Sequence, residues 1–150
     1  MAGSPTIFEG ATPILPVRNL EASVQFYVDK LGFKQDFVGP GRFASVSRNR
    51  CGLFLSEGDQ GNPGVWVWIG VEDVEAVLAE YRSKGLEARH PPTNYSWAYE
   101  MQMEDLDGNV LRIGSERRSD LPDADSWRDM RGTIWKKNAK GEWSALQQLI

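Results

Sequence analysis

Val65-Trp66-Val67-Trp68-Ile69-Gly70-Val71, followed at once by Glu72, Asp73 and Val74, is the stretch that decides the fold. Side chains alternate across a strand, so Trp66 and Trp68 share one face while Val65, Val67, Ile69 and Val71 share the other. The aliphatic face suits packing under a helix. Two indoles side by side make a broad surface suited to covering an apolar partner or a ligand. The stretch therefore reads as a strand that runs into a helix, and as the floor of a binding site.

The same stretch opens a repeat. Val71, Asp73, Val74, Ala76, Leu78, Tyr81 and Lys84 answer Val17, Asn19, Leu20, Ala22, Val24, Tyr27 and Lys30 at a constant offset of about 54 residues. Further on, Leu111, Arg112 and Ile113 answer Leu53, Phe54 and Leu55 at about 58, which fits an insertion around Pro91 to Tyr95. The expected fold class is α+β: two βαβββ modules forming a curved mixed sheet around a cleft, followed by a C-terminal extension with a β-hairpin.

A chain of 150 residues is one domain by size, able to bury about 70% of its unfolded surface. The expected division is an N-terminal arm over 1–10, the paired domain over 11–116 with modules at about 11–57 and 64–116, and the extension over 117–150. Seventeen basic and twenty-one acidic residues leave a formal charge of −4, which argues against nucleic acid as a partner and is compatible with a cationic ligand. Cys51 is the only cysteine, so no internal disulfide forms. No apolar run approaches a membrane span or a secretory segment, and Met1 to Glu9 carries no targeting pattern, so a cytoplasmic protein is expected. Gly3, Ser4 and Pro5 suggest a loose start.

Thr12 to Val17 reads as the first strand, with Pro13 and Pro16 placing it at an edge or crossing point. Asn19 caps a helix whose apolar positions are Leu20, Val24, Tyr27, Val28 and Leu31, and Gly32 ends it. Strands are expected at Phe33–Val38, Phe43–Ser47 and Gly52–Ser56. Glu57 to Gly64 joins the modules. The second helix runs from Val74 to a stop at Gly85, followed by a strand at Leu86–Arg89 and a proline-stiffened loop at His90–Ser96. Tyr99, Met101 and Met103 alternate with Glu100, Gln102 and Glu104 as a half-exposed strand, and Asp107-Gly108 turns into Val110–Gly114. After a polar connector from Glu116, Gly132–Lys136 and Glu142–Leu146 look like a hairpin. Trp127, Trp135 and Trp143 give this extension too much apolar surface for a free tail, so it is expected to pack on its own domain or on a second subunit.

The residues Pro16-Val17-Arg18-Asn19-Leu20, Phe26-Tyr27, Leu31-Gly32-Phe33 and Asp105-Leu106-Asp107-Gly108-Asn109 resemble the vicinal oxygen chelate superfamily, which includes glyoxalase, extradiol dioxygenases and bleomycin-resistance proteins. Within it, Asp36-Phe37-Val38, Phe43-Ala44, Leu53-Phe54, Trp66-Val67-Trp68, Trp97 and Glu100 are most similar to the bleomycin-binding branch, and Pro13 resembles that branch's proline in the first strand. The resemblance implies a homodimer that exchanges its N-terminal strand and binds a bleomycin-like glycopeptide, unaltered, in clefts at the interface.

The positions that match the superfamily's metal ligands are Thr12, Phe54, Trp66 and Arg112, none of them a competent ligand for a divalent cation. No metal or other cofactor is expected, and no catalytic residue. His90 reads as a loop histidine, and Cys51 has no base beside it. What remains is an aromatic cleft. Its candidate ligand-binding residues are Phe33, Phe37, Phe43, Phe54, Trp66, Trp68, Trp97, Glu100 and Arg112, with rings to clasp planar or cationic groups and Glu100 to supply charge. The core competes for Phe26 and Phe33, and for Phe54 equally. For the three tryptophans the cleft is favoured, because three indoles in a dry core would need three buried acceptors. Arg112 either pairs with an acid such as Glu100 or meets an anionic ligand. The competing readings are a metal-dependent lyase, isomerase or dioxygenase of the same fold, and a binding protein for another aromatic metabolite.

Overall fold

The computed structural model describes residues 5–129 and 131–146, so Gly3 and Ser4 of the expected loose start lie outside the described residues. The first module comprises β1 (Ile14–Pro16), α1 (Leu20–Asp29), β2 (Lys34–Gly39), β3 (Phe43–Arg48) and β4 (Cys51–Ser56). Its sheet has the order β1-β4-β3-β2, with β1 parallel to β4. The second module comprises β5 (Trp66–Gly70), α2 (Val74–Ser83), β6 (His90–Asn94), β7 (Tyr99–Glu104) and β8 (Val110–Ser115). Its order is β5-β8-β7-β6, with β5 parallel to β8. The two halves share one topology, and the fold is the α+β pairing that the offset repeat requires.

The repeat holds down to single atoms. Asn19 and Asp73 are both N-caps, accepting from Ala22 N at 2.9 Å and from Ala76 N at 3.1 Å. Phe54 pairs with Ile14 across β4 and β1, and its counterpart Arg112 pairs with Trp68 across β8 and β5. Lys30 Nζ donates to the carbonyl of its own counterpart, Lys84, at 2.9 Å.

Three local expectations need correction. The first strand is shorter than Thr12–Val17, although the Pro13 carbonyl accepts from Phe54 N (3.0 Å) and Val17 N donates to Ser56 O (2.9 Å) on either side of it. Leu86 to Ala88 is not strand; pairing begins where Arg89 N donates to Gln102 O, and β6 occupies His90–Asn94, where a loop was expected. Pro91 and Pro92 are tolerated because β6 is the sheet edge and its register slips between His90 and Thr93. Strand β7 is not half-exposed: of its six residues only Glu104 is exposed, because both faces are covered.

One core serves both modules. Leu15, Leu53, Leu55, Tyr27 and Leu31 meet Val74, Leu78, Tyr81, Met101, Met103, Leu111 and Ile113 in a single buried cluster. Polar pins cross the same boundary. Tyr27 Oη donates to Asp105 Oδ2 (3.0 Å), Tyr81 Oη to the Leu31 carbonyl (3.2 Å), and Asn109 Nδ2 to the Pro16 carbonyl (3.0 Å). Burial pushes the Asp105 carboxyl up, against the bonds it accepts from Asn109, Asp107 and Tyr27.

The extension forms a third sheet of β9 (Ser126–Arg128), β10 (Ile134–Lys137) and β11 (Trp143–Ala145), ordered β11-β10-β9. The hairpin appears where the sequence suggests it; β9 arises inside what reads as connector. The connector is clipped to β6 by Asn94, which is buried. Asn94 Nδ2 donates to the Arg118 and Leu121 carbonyls, its Oδ1 accepts from Arg118 N, and its carbonyl accepts from Ala124 N.

Candidate ligand-binding site

Because Leu53 and Leu55, like Leu111 and Ile113, point into the shared core, Phe54 and Arg112 lie on faces that turn away from it. The candidate residues are thereby divided between two sheets. On the first, Phe37, Phe43 and Phe54 form one ring cluster, with centroids 6.3 Å (Phe37 to Phe54) and 5.1 Å (Phe43 to Phe54) apart. Phe33 is not with them: it is buried in the core, edge-on to Tyr27 at 5.6 Å. On the second sheet, Trp66, Trp68, Trp97, Glu100 and Arg112 come together.

The organising group of the second face is Glu100, only 3% exposed. Its Oε1 accepts from Trp97 Nε1 at 2.8 Å and from Arg112 Nη2 at 2.6 Å, and its Oε2 accepts from Trp68 Nε1 at 2.8 Å. The three donors arrive from β5, from β8 and from the bend before β7. Arg112 thus pairs with Glu100, and the glutamate's charge is spent on holding two indoles and a guanidinium in place. Their edges are fixed while about half of each indole stays open: Trp68 is 50% exposed and Trp97 45%. Tyr95, not singled out in the sequence, stacks on one face of Trp97 at 4.6 Å with an interplanar angle of 3°.

Two glycines make room for Trp68. A Cβ on Gly114 would come within 3.0 Å of Trp68 Cζ2 and 2.9 Å of Glu100 Cβ, and one on Gly70 within 3.0 Å of Trp68 Cζ3. The indole lies across both backbones, so any side chain there would lift it.

Beyond Trp68, the face continues as a chain of ring and guanidinium contacts. Gln102 Oε1 accepts from Arg89 Nη1 (2.8 Å); the Arg89 guanidinium lies 5.6 Å from the Trp66 ring; Trp66 lies 6.3 Å from Trp127 of β9; and Trp127 lies 5.9 Å from the Arg112 guanidinium. Trp143 of β11 lies 6.0 Å from Trp97. Neither Trp127 nor Trp143 is among the sequence-derived candidates; their number in the extension is the only signal that they would find a surface. The buried Nε of Arg112 has no hydrogen-bond partner among the described residues.

A cleft of about 1260 Å³ runs between the modules past the end of β5. Phe33, Leu53, Val67, Ile69, Tyr81 and Ile113 give it an apolar lining, Trp68 and Trp97 reach it, and Glu72, Asp73 and Glu116 stand with Arg48 and Arg50 among its charged groups. Sites for organic ligands typically enclose about 300–1,000 Å³, so a sizeable molecule fits here.

The four residues that the sequence matches to the superfamily's metal ligands have side chains engaged elsewhere or unsuited to a divalent cation. Thr12 lies ahead of β1, Phe54 packs on Phe37 and Phe43, Trp66 lies against Trp127, and Arg112 is ion-paired. Together they offer no carboxylate, imidazole or thiolate. Among the described residues, no group of three or more His, Cys, Asp or Glu side chains is placed to hold a metal ion. Nδ1 of His90 lies 3.0 Å from the Pro91 carbonyl at the β6 edge, and burial pushes the Cys51 thiol up, away from the thiolate. Among the described residues no helix is long and apolar enough to cross a membrane.

Residues 11–113 match the family described as the Glyoxalase/Bleomycin resistance protein/Dioxygenase superfamily. No curated protein matches the chain. Among solved structures, the bleomycin-binding protein of bleomycin-producing Streptomyces verticillus, complexed with copper(II)-bleomycin, is 26% identical with a TM-score of 0.65; the match covers 75% of this chain and 100% of that one. TnmS3, an antibiotic binding protein from a Streptomyces species, is 22% identical with a TM-score of 0.67, covering 75% of this chain and 99% of its own. An integron cassette protein from the mobile metagenome of the Halifax Harbour sewage outfall is 25% identical with a TM-score of 0.63, covering 72% and 99%.

Proposed function

We propose that this chain, which belongs to the Glyoxalase/Bleomycin resistance protein/Dioxygenase superfamily, is a binding protein that sequesters a bleomycin-family antibiotic without altering it. The observation that carries the reading is the pair of half-exposed indoles, Trp68 and Trp97, whose edges are pinned to one buried carboxylate. Such rings are held ready to stack: the ordering cost is met in the fold, so little is lost when a flat group arrives. The acidic groups along the cleft, Glu72, Asp73 and Glu116, outnumber its basic ones, Arg48 and Arg50, and Arg48 is already paired with Glu80, so the lining mildly favours positive charge on that ligand. The Streptomyces verticillus relative, whose ligand is copper(II)-bleomycin, supports the choice of drug. An enzymatic reading through a metal would need donors that Thr12, Phe54, Trp66 and Arg112 do not supply.

The partner in this reading is a second copy of the chain. Ile7 and Phe8 of the N-terminal arm are 82% and 94% exposed, and the arm leaves the domain at Ala11 and Pro13, which line the apolar cleft. Exchange of arms between two copies would bring these side chains to the cleft of the other chain, leaving the indoles to the ligand.

Titration of intrinsic tryptophan fluorescence with bleomycin tests the ligand. A saturable change is expected, because Trp68 and Trp97 are exposed reporters at the site. A flat response across the titration would remove bleomycin as ligand and leave only the fold in common with the relatives.

A further inference from the structure

Residues beyond 113 lie outside the matched family region, yet the extension they form meets the second module at its aromatic face. We propose that Trp127 is a specificity-determining residue: it fills the half of that face around Trp66 and Arg112, and so confines a ligand to one flat ring system lying on Trp68 and Trp97. This rests on the reading of the face as a ligand site.

Trp127 stands where a ligand's ring would stand. Its ring lies 6.3 Å from the Trp66 indole, whose ring Arg89 also meets, and 5.9 Å from the Arg112 guanidinium, so an indole and a cation that could meet a flat molecule already meet a ring. The fit is incomplete on the polar side. Arg112 gives Nη2 to Glu100, but its buried Nε is left without an acceptor, and an indole carries none to offer. A ligand with a ring and a hydrogen-bond acceptor would satisfy this position better than tryptophan does.

Trp127 is also held there firmly. It sits in β9 opposite Trp135 of β10, and the strand is tied at its start by Lys137 N donating to the Asp125 carbonyl at 2.8 Å. The connector before it is fixed to β6 through both ends of the Asn94 amide. Rings placed this way divide the face. Trp66 and Arg112 are occupied from within the chain, while Trp68 and Trp97 remain half-exposed even though Trp143 approaches Trp97 to 6.0 Å.

The test compares two probes on the full-length protein: bleomycin, and N-methylquinolinium as a single flat cationic ring system. In Trp127→Ala the vacated position should take up more of the larger probe, so bleomycin should bind about tenfold more tightly or better, while N-methylquinolinium stays within about twofold of wild type. Melting temperature is measured alongside; if Trp127→Ala loosens the C-terminal sheet, Trp127→Leu, which keeps an apolar residue in β9 and removes the ring, is compared instead. Bleomycin affinity that is unchanged or weaker, in a folded variant whose wild type binds the probes, overturns the role of Trp127 and leaves the ligand site standing. Failure of the wild type to bind either probe overturns both.

Discussion

A carboxylate has about four acceptor directions, and three of those on Glu100 are taken by Trp68, Trp97 and Arg112. Replacing it with Gln leaves one oxygen and turns an amide N–H₂ toward donors. Breaking a largely buried ion pair from one side typically costs about 3–5 kcal/mol. Glu100→Gln is therefore expected to lower stability by about 3 kcal/mol in urea denaturation and to shift tryptophan emission as one of the two indoles loses its acceptor. An unchanged unfolding midpoint would mean that the indoles are held by packing alone. The alternation of Tyr99, Met101 and Met103 with Glu100 and Gln102 placed this residue on the face opposite the methionines, and a pairing with Arg112 was one of two alternatives the sequence left open, the other being an anionic ligand. The convergence of three donors was not legible, because they come from three separate elements. Gly70 and Gly114 were equally mute: nothing in a one-dimensional pattern says that an indole will lie across them.

At the scale of elements, what the sequence made plain was whatever depends on neighbours along the chain. Asn19 and Asp73 announce both helices, and the 54-residue offset pairs them. β6 escaped because Pro91 and Pro92 argue against a strand until its place at a sheet edge is known. β9 escaped because three residues among aspartates and arginines carry no period. Contacts between elements had to come from the structure, as with Arg48 of β3 and Glu80 of α2. Arg48 Nη1 donates to Glu80 Oε2 (2.7 Å) and Nη2 to Oε1 (2.9 Å), with Nη1 also reaching the Leu31 carbonyl at 2.9 Å. Gly32 permits this approach: its φ is +78°, and a Cβ there would lie 2.6 Å from Arg48 Nη1. The Arg48 guanidinium holds the Glu80 carboxyl below its ordinary 4.5, despite partial burial. A depressed folded pKa contributes stability that is fully present above the unfolded value and is lost as pH falls through the folded one. Glu80→Gln should therefore flatten the pH dependence of stability below about pH 4.5 while changing its shape little at neutral pH. Thermal melts of both proteins from neutral to acid pH would show it, and parallel curves would place the acid sensitivity elsewhere.

At the scale of the whole molecule, the two modules share one core, yet the cleft between them keeps an apolar lining of Phe33, Leu53, Val67, Ile69, Tyr81 and Ile113, with Val67 and Ile69 only partly buried. The arm beside it carries Ile7 and Phe8 almost fully in water. Burying such side chains yields about 1.5–3 kcal/mol each, so two exchanged arms would contribute about 6–12 kcal/mol. Association costs about 4–15 kcal/mol in lost freedom, which makes the arms the difference between a dimer and separate chains rather than a small correction. The full-length protein is accordingly expected to be dimeric at micromolar concentration and to dissociate on dilution. The double substitution Ile7→Asp, Phe8→Asp makes a clean test, because both residues are exposed within the chain and their replacement should leave its own fold and melting cooperativity intact. Analytical ultracentrifugation should then find one chain mass, 16.9 kDa, for the variant and twice that for the wild type. A variant that still dimerises would move the interface to another surface, with the half-exposed Phe37 and its neighbours Phe43 and Phe54 the next to be replaced. A wild type that stays monomeric would mean that the whole ligand site is built within one chain, from β5, β7, β8 and the C-terminal sheet.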